Sequence, residues 1–167
     1  MKEEYFLEHI VDTSKYQVFL FSSPVPIPFF FARHCWFVVN NKGNLRRIEF
    51  GRFKEVAMRN KDSNPIGFIN RKSQFTTGMN ISFYHRNPKY GSTLHWKIET
   101  SNKYSKEFQL LQFIEKNSIN YPYKNQYHLL GPNSNTYPQW VLNHFPELKV
   151  KLPFLAIGKN YLKKRSK

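Results

Sequence analysis

The sequence predicts an α+β fold, in which a compact antiparallel sheet carries packed helices. Short runs of aromatic and β-branched residues at Tyr16–Phe21, His34–Asn40 and Asn44–Phe50 are typical of strands. Thr93–Thr100 alternates apolar and polar residues, which also indicates a strand. A helical spacing of apolar residues begins only afterwards, in Ser105–Lys116. Strands followed by helices favour the α+β class over a parallel α/β sheet.

Length and charge limit the organisation of the chain and its partners. The 167 residues have the size of one domain, and no repeat or Ser/Gly linker divides them, so we expect a single domain over residues 1–167. Twenty-six Lys and Arg against 11 Asp and Glu give a formal charge of +15, which favours an anionic partner or substrate. The densest basic cluster begins at about Lys159, and we interpret it as a short solvated tail.

Cysteine usage and the N-terminus bear on the compartment. Cys35 is the only cysteine, so no intramolecular disulfide can form and a reducing compartment is favoured. Glu3 and Glu4 stand where a secretory signal carries positive charge. We therefore expect a cytoplasmic protein, or export by a route without a standard signal peptide. The apolar stretch Tyr16–Ala32 is broken by three prolines, so we expect no integral membrane segment.

The first strand and its connector come from Tyr16–Pro28. Tyr16–Phe21 reads as a buried strand that ends at a Ser-Ser-Pro sequence. Prolines then alternate with aliphatic residues over Pro24–Pro28, which excludes a helix and leaves too few N–H donors for a central strand. This segment is expected to be an extended connector.

A β-hairpin is the clearest local prediction. The strand-like runs His34–Asn40 and Asn44–Phe50 are joined by Asn and Gly residues that tolerate the positive φ of a tight turn. A turn centred on Asn41 and Lys42 predicts the cross-strand pairs Val38–Leu45, Trp36–Arg47 and His34–Glu49.

The next elements are a poorly patterned segment and a strand. Residues 51–92 contain turn signals around candidate strands at Gly67–Asn70 and Met79–Tyr84, and we expect irregular structure there. Thr93–Thr100 follows as a strand. Its alternation is expected to place three apolar side chains on one face, Leu94, Trp96 and Ile98.

Two helices complete the prediction. Ser105–Lys116 has amphipathic spacing, with Ser105 as its N-cap. Asn133 or Ser134 is expected to cap a second helix that runs to about Phe145 and is stopped by a proline.

The start of the second helix suggests a reactive site. Unpaired N–H groups and the helix dipole stabilise an anion there, so Ser134 is placed like a nucleophile. A serine needs a base and the base an orienting group, which the predicted His34–Glu49 pair supplies. The same residues also fit a simple N-cap, a strand-end histidine and a surface charge.

Several motifs resemble the uncharacterised bacterial family DUF3750. The resemblance is ordered over residues 93–161 and extends upstream to the hairpin. The motifs that carry it are Tyr127, Gly131-Pro132-Asn133-Ser134-Asn135-Thr136-Tyr137, Trp140, Leu152-Pro153, Ala156-Ile157-Gly158-Lys159, His34-Cys35-Trp36-Phe37 and Arg47-Ile48-Glu49.

A histidine on an early strand and a late helix-opening nucleophile position are also similar to circularly permuted papain-like folds. These include the NlpC-type hydrolases and the lecithin:retinol acyltransferase group, which act on amide, ester or thioester carbonyls. The resemblance implies a hydrolase or acyltransferase with Ser134, His34 and Glu49 as catalytic residues, and a binding or oxyanion corner at Asn133 and Asn135. Those families place cysteine where this chain has Ser134, so the alternative is a catalytically degenerate protein that binds nucleic acid or an anionic surface of a membrane or cell wall.

Three further residues are secondary candidates for the site. His95 and His128 could act as bases or metal ligands, and Cys35 could be reactive, although on a strand it points away from the face of His34. The sequence has no Cys pair and no His-x-x-x-His spacing, so we expect no metal site. It also lacks a Gly-rich phosphate loop, and no cofactor is expected.

Two binding functions compete with the enzymatic one. Lys and Arg residues interleaved with aromatic residues could bind nucleic acid. Ile27–Phe31 could instead make peripheral contact with a membrane, or fill the core.

Overall fold

The structure is a computed structural model that describes residues 9–25, 28, 31–52, 66–74 and 92–162. Within this part of the chain, the five strands precede helices α1 and α2, in keeping with the α+β prediction. The elements are β1 (Tyr16–Pro24), β2 (Arg33–Asn41), β3 (Asn44–Arg52), β4 (Ile66–Gln74), β5 (Thr93–Thr100), α1 (Lys106–Asn117) and α2 (Thr136–Asn143).

The five strands form one sheet in the order β4-β3-β2-β1-β5, and every neighbouring pair is antiparallel. Side chains alternate between two faces. One face, called the helix face below, packs against α1 and α2 through residues that include Leu20, Cys35, Phe37, Leu111 and Val141. The opposite face carries a second apolar cluster, Phe19, Phe21, Trp36, Val38 and Leu45.

The predicted hairpin is present, but its predicted register is wrong by two residues. Asn41 pairs with Asn44, and Val38 pairs with Arg47 rather than with Leu45. Lys42 and Gly43 are the two turn residues, at φ 49° and 85°. A two-residue hairpin turn needs positive φ at both central positions, and glycine adopts it without a steric penalty, so the turn moves onto Gly43. A shift of two residues keeps every side chain on its predicted face.

Strand β5 has the predicted bounds but not the predicted single apolar face. Leu20 pairs with Trp96, whereas the next residue of β1, Phe21, pairs with Leu94. This irregularity leaves His95 without a counterpart and turns Leu94 towards the opposite face, while Trp96 packs on the helix face. The prediction that Leu94 and Trp96 share one face is therefore wrong.

Both helices form where the sequence predicts them. Ser105 caps α1 by accepting a hydrogen bond from the Phe108 N–H. Helix α2 is shorter than expected and ends at Asn143. The candidate strand Gly67–Asn70 lies within β4, so the segment expected to be irregular contains a strand. The candidate strand at residues 79–84 lies outside the described residues. No helix of the described part has the length and apolarity needed to cross a bilayer.

Candidate functional site

The partly buried His34 and the buried Glu49 form a pair on the opposite face of the hairpin. Nε2 of His34 lies 2.8 Å from Oε2 of Glu49. They are diagonal neighbours in the observed register, not the directly opposed pair that was predicted. Burial alone would raise the pKa of Glu49, but the hydrogen bond from His34 and the charge of Arg47 outweigh it and lower the pKa to about 2. Glu49 is therefore an ionised acceptor at neutral pH.

Arg47 and Trp36 complete this cluster. The Arg47 guanidinium donates to the same Glu49 oxygen at 2.6 Å, and its central carbon lies 4.2 Å from the centre of the Trp36 ring. The Trp36 and His34 rings lie 5.8 Å apart. Arg47 fixes the carboxylate, and the carboxylate in turn fixes the imidazole. When Nε2–H is donated to Glu49, the neutral ring carries its lone pair on Nδ1.

Asn135 attaches the entry of α2 to the backbone on both sides of His34. Its Oδ1 accepts from the Cys35 N–H at 3.0 Å, and its Nδ2 donates to the Arg33 carbonyl at 2.7 Å. The ladder between β2 and β3 runs from the turn to Phe37 and Ile48, and Arg33 and Cys35 lie beyond it. The amide of Asn135 thus replaces a neighbouring strand at this point. The side chain places Ser134, the preceding residue, next to the end of β2.

Asn133 organises the turn that leads into α2. Its Oδ1 accepts from the Asn135 N–H at 2.9 Å, and its Nδ2 donates to the carbonyls of Leu129 and Ile157. Gly158 permits this contact, because a Cβ at Gly158 would lie 2.4 Å from the Asn133 side chain. The N-cap of α2 is Asn135, which makes no side-chain cap hydrogen bond, so the prediction that Asn133 or Ser134 caps this helix is wrong. The Asn133 side chain instead shapes the preceding turn.

Ser134 is buried at the entry of α2. Asn133 N–H donates to the Thr136 hydroxyl, Asn135 N–H to Asn133 Oδ1, and Thr136 N–H to the Asn133 carbonyl. Among the described residues, none forms a hydrogen bond with the Ser134 N–H or Oγ, and that includes His34. The N–H groups of Asn133, Asn135 and Thr136 are therefore all hydrogen-bonded. The hydroxyl and the N–H of Ser134 are not bonded to any described residue.

Cys35 is buried on the helix face, whereas His34 lies on the opposite face. Burial raises the pKa of the Cys35 thiol to about 12, despite the nearby positive charges of Lys159 and Arg33. A thiol in this state does not supply a thiolate at neutral pH.

The two secondary histidines have hydrogen-bond partners other than Glu49. Nε2 of His95 lies 2.7 Å from the Ser22 hydroxyl, and partial burial together with the charge of Arg33 lowers the pKa of His95. His128 is exposed in the turn before Gly131, and its N–H donates to the Pro132 carbonyl. In the part of the chain that the structure describes, no group of three His, Cys, Asp or Glu side chains could hold a metal ion.

Two neighbours of the site were not identified from the sequence. Arg47 lies two residues before Glu49, so strand alternation alone places it on the same face, and that signal was available. Ser23 pairs directly with His34 across β1 and β2, and its buried hydroxyl has no hydrogen-bond partner among the described residues. Ser23 is recognised as a neighbour of His34 only from the β1–β2 register, and no local sequence pattern predicts that register.

The geometry defines an α+β protein with an imidazole–carboxylate pair near the strand end to which Asn135 attaches the entry of α2. The chain belongs to the family described as "Protein of unknown function (DUF3750)", whose model matches residues 15–161. That match includes every candidate residue of the site. Neither the curated proteins nor the solved structures gave a significant match to this chain.

Proposed function

We propose that this protein is a hydrolase or acyltransferase that acts on an amide or ester carbonyl, with a permuted papain-like arrangement of its site. The observation that carries the proposal is the attachment of the α2 entry to the backbone around His34, while Glu49 holds the imidazole. The proposal combines a nucleophile position at the α2 entry with a base and an orienting carboxylate near the end of β2.

Ser134 is the proposed nucleophile. Its Oγ attacks the carbonyl carbon and its proton passes to Nδ1 of His34, while Glu49 stabilises the imidazolium that forms. The Ser134 N–H, which no described neighbour uses, donates to the developing oxyanion. The imidazolium then protonates the leaving group. Water or an acyl acceptor releases the acyl group from the serine with His34 again as the base.

Asn133 and Asn135 are positioning residues in this scheme. Their side chains are engaged in the bonds that shape the corner, so they fix where Ser134 lies and do not themselves meet the oxyanion. The Ser134–His34 hydrogen bond, which the structure does not contain, forms when substrate binds, as catalytic hydrogen bonds often tighten only in the complex.

Turnover of activated ester and amide substrates tests the proposal. Ser134→Ala should abolish turnover without changing the melting temperature, because the hydroxyl makes no hydrogen bond to a described residue. His34→Ala should lower kcat by roughly 10²–10⁴-fold. Ser23→Ala is the informative comparison, since Ser23 is the residue directly opposite His34. Loss of turnover in Ser23→Ala with retention in Ser134→Ala would place the nucleophile on β1 and contradict the proposal.

A further inference from the structure

Several large apolar side chains are exposed in the chain segments that Asn133 and Asn135 connect by hydrogen bonds. We call this set the apolar corner: Phe31, Leu129, Leu130, Phe154 and Leu155. Two other described residues of this kind, Tyr104 and Ile119, flank the ends of α1. A single exposed leucine is ordinary, but five such side chains at one corner form a patch of the kind that marks an interaction surface.

Hydrogen bonds show that the chain segments that carry the apolar corner lie close together. Asn133 Nδ2 donates to both the Leu129 and the Ile157 carbonyl, at 2.9 and 3.1 Å. Asn135 Nδ2 donates to the carbonyls of Ile157 and Arg33. The Arg33 N–H in turn donates to the Leu155 carbonyl at 3.0 Å. The turn before Gly131, the 153–158 segment and the start of β2 therefore meet at this corner.

Basic residues belong to the same segments. Nζ of Lys159 lies 5.6 Å from the centre of the Phe154 ring and donates to the Pro153 carbonyl. From residue 117 to the end of the sequence there are eight Lys or Arg and one acidic residue, Glu147. The carboxylate of Glu147 lies 3.4 Å from Lys106 of α1. The apolar corner is thus set in a chain segment of strongly positive charge.

We propose that the apolar corner docks the protein on a lipid surface with anionic headgroups. Phe31, Leu130 and Phe154 would enter the interface, and Arg33 and Lys159 would meet the headgroup phosphates. Three of its five side chains are leucines, which offer no stacking platform for a base, so this surface fits lipid better than nucleic acid. The inference stands apart from the proposed chemistry, because membrane binding is measured without turnover.

Vesicle co-sedimentation of the full chain tests this proposal, with phosphatidylcholine alone and with added phosphatidylglycerol. Phe154→Ser is the test variant and Tyr104→Ser the matched control, since both side chains are 90% exposed. Tyr104 lies near the opposite end of the sheet: Thr100 of β5 pairs with Tyr16. That end of β1 is about 25 Å from Pro24, at roughly 3.3 Å per residue.

Wild type should bind the anionic vesicles, and Phe154→Ser should lower the partition coefficient by about tenfold while Tyr104→Ser leaves it unchanged. The double variant Leu130→Ser/Phe154→Ser should bind more weakly still. Melting temperatures should stay constant, because the altered side chains are exposed.

Three results would overturn the proposal. The first is no binding to either vesicle. The second is equal binding by Phe154→Ser and wild type, which would make the contact purely electrostatic. The third is an equal loss of vesicle binding in Phe154→Ser and Tyr104→Ser, which would show that the apolar corner contributes no more than an exposed aromatic side chain elsewhere. Tight binding of an oligonucleotide without vesicle binding would assign the positive charge to nucleic acid.

Discussion

Asn135 gives the sharpest prediction about the architecture of the site. Its amide makes three hydrogen bonds, to Arg33, Cys35 and Ile157, at 2.7, 3.0 and 2.8 Å. Each is worth about 0.5–1.5 kcal/mol, and a buried N–H left unsatisfied costs more, so Asn135→Ala should lose about 3–4 kcal/mol. That is a large part of a total stability of roughly 5–15 kcal/mol.

Urea denaturation monitored by tryptophan fluorescence measures this loss. With an m-value of roughly 2 kcal/mol/M, the midpoint should fall by about 1.5–2 M. Asn135→Asp keeps the acceptor for Cys35 but sets a carboxylate oxygen against two carbonyls, so it should cost at least as much. Asn143→Ala is the control, because Asn143 is exposed and accepts one bond from Gln139. A loss below about 1 kcal/mol in Asn135→Ala would refute the view that this amide holds the corner together.

Gly158→Ala should cost about 2–4 kcal/mol in urea denaturation, because its φ is +93° and the new Cβ meets Asn133 at 2.4 Å. Gly43→Ala, at φ +85° with its nearest contact at 3.6 Å, should cost only about 1–2 kcal/mol, and equal losses would contradict the steric argument. The lowered pKa of Glu49 predicts a contribution of up to about 3 kcal/mol that is fully present above the unfolded pKa of about 4.5 and is lost as pH falls towards 2. Between pH 7 and pH ~3, the free energy of unfolding should therefore decrease less in Glu49→Gln than in wild type. Equal decreases in the two proteins would contradict this contribution of Glu49. Cys35, whose thiol pKa is raised to about 12, should react with a thiol reagent at pH ~8 only after unfolding, and fast reaction of the native protein would show that the thiol is accessible.

Local patterns were sufficient for most elements of the fold. The amphipathic spacing and the Ser105 cap located α1, and period-two alternation located β5 to the residue. The hairpin was also correct, but its register depended on which residues take positive φ. The His34–Glu49 contact survives that error because a shift of an even number of residues keeps both side chains on one face.

The rest of the site depends on contacts that no local pattern carries. Asn135 bonds to Cys35, one hundred residues earlier, and nothing near either residue specifies the other. Gly158 reads as an ordinary turn glycine until the Asn133 side chain is seen against its backbone. Leu94 changes face because of an irregularity in the pairing of β1 and β5, which alternation alone cannot reveal.

Mapping the site of reaction with a fluorophosphonate probe by mass spectrometry tests the proposed chemistry most directly. We expect an adduct on Ser134, formed at least about a hundredfold more slowly in His34→Ala and at an unchanged rate in Asn143→Ala. An adduct on another residue, or labelling of Ser134 at the same rate without His34, would contradict it.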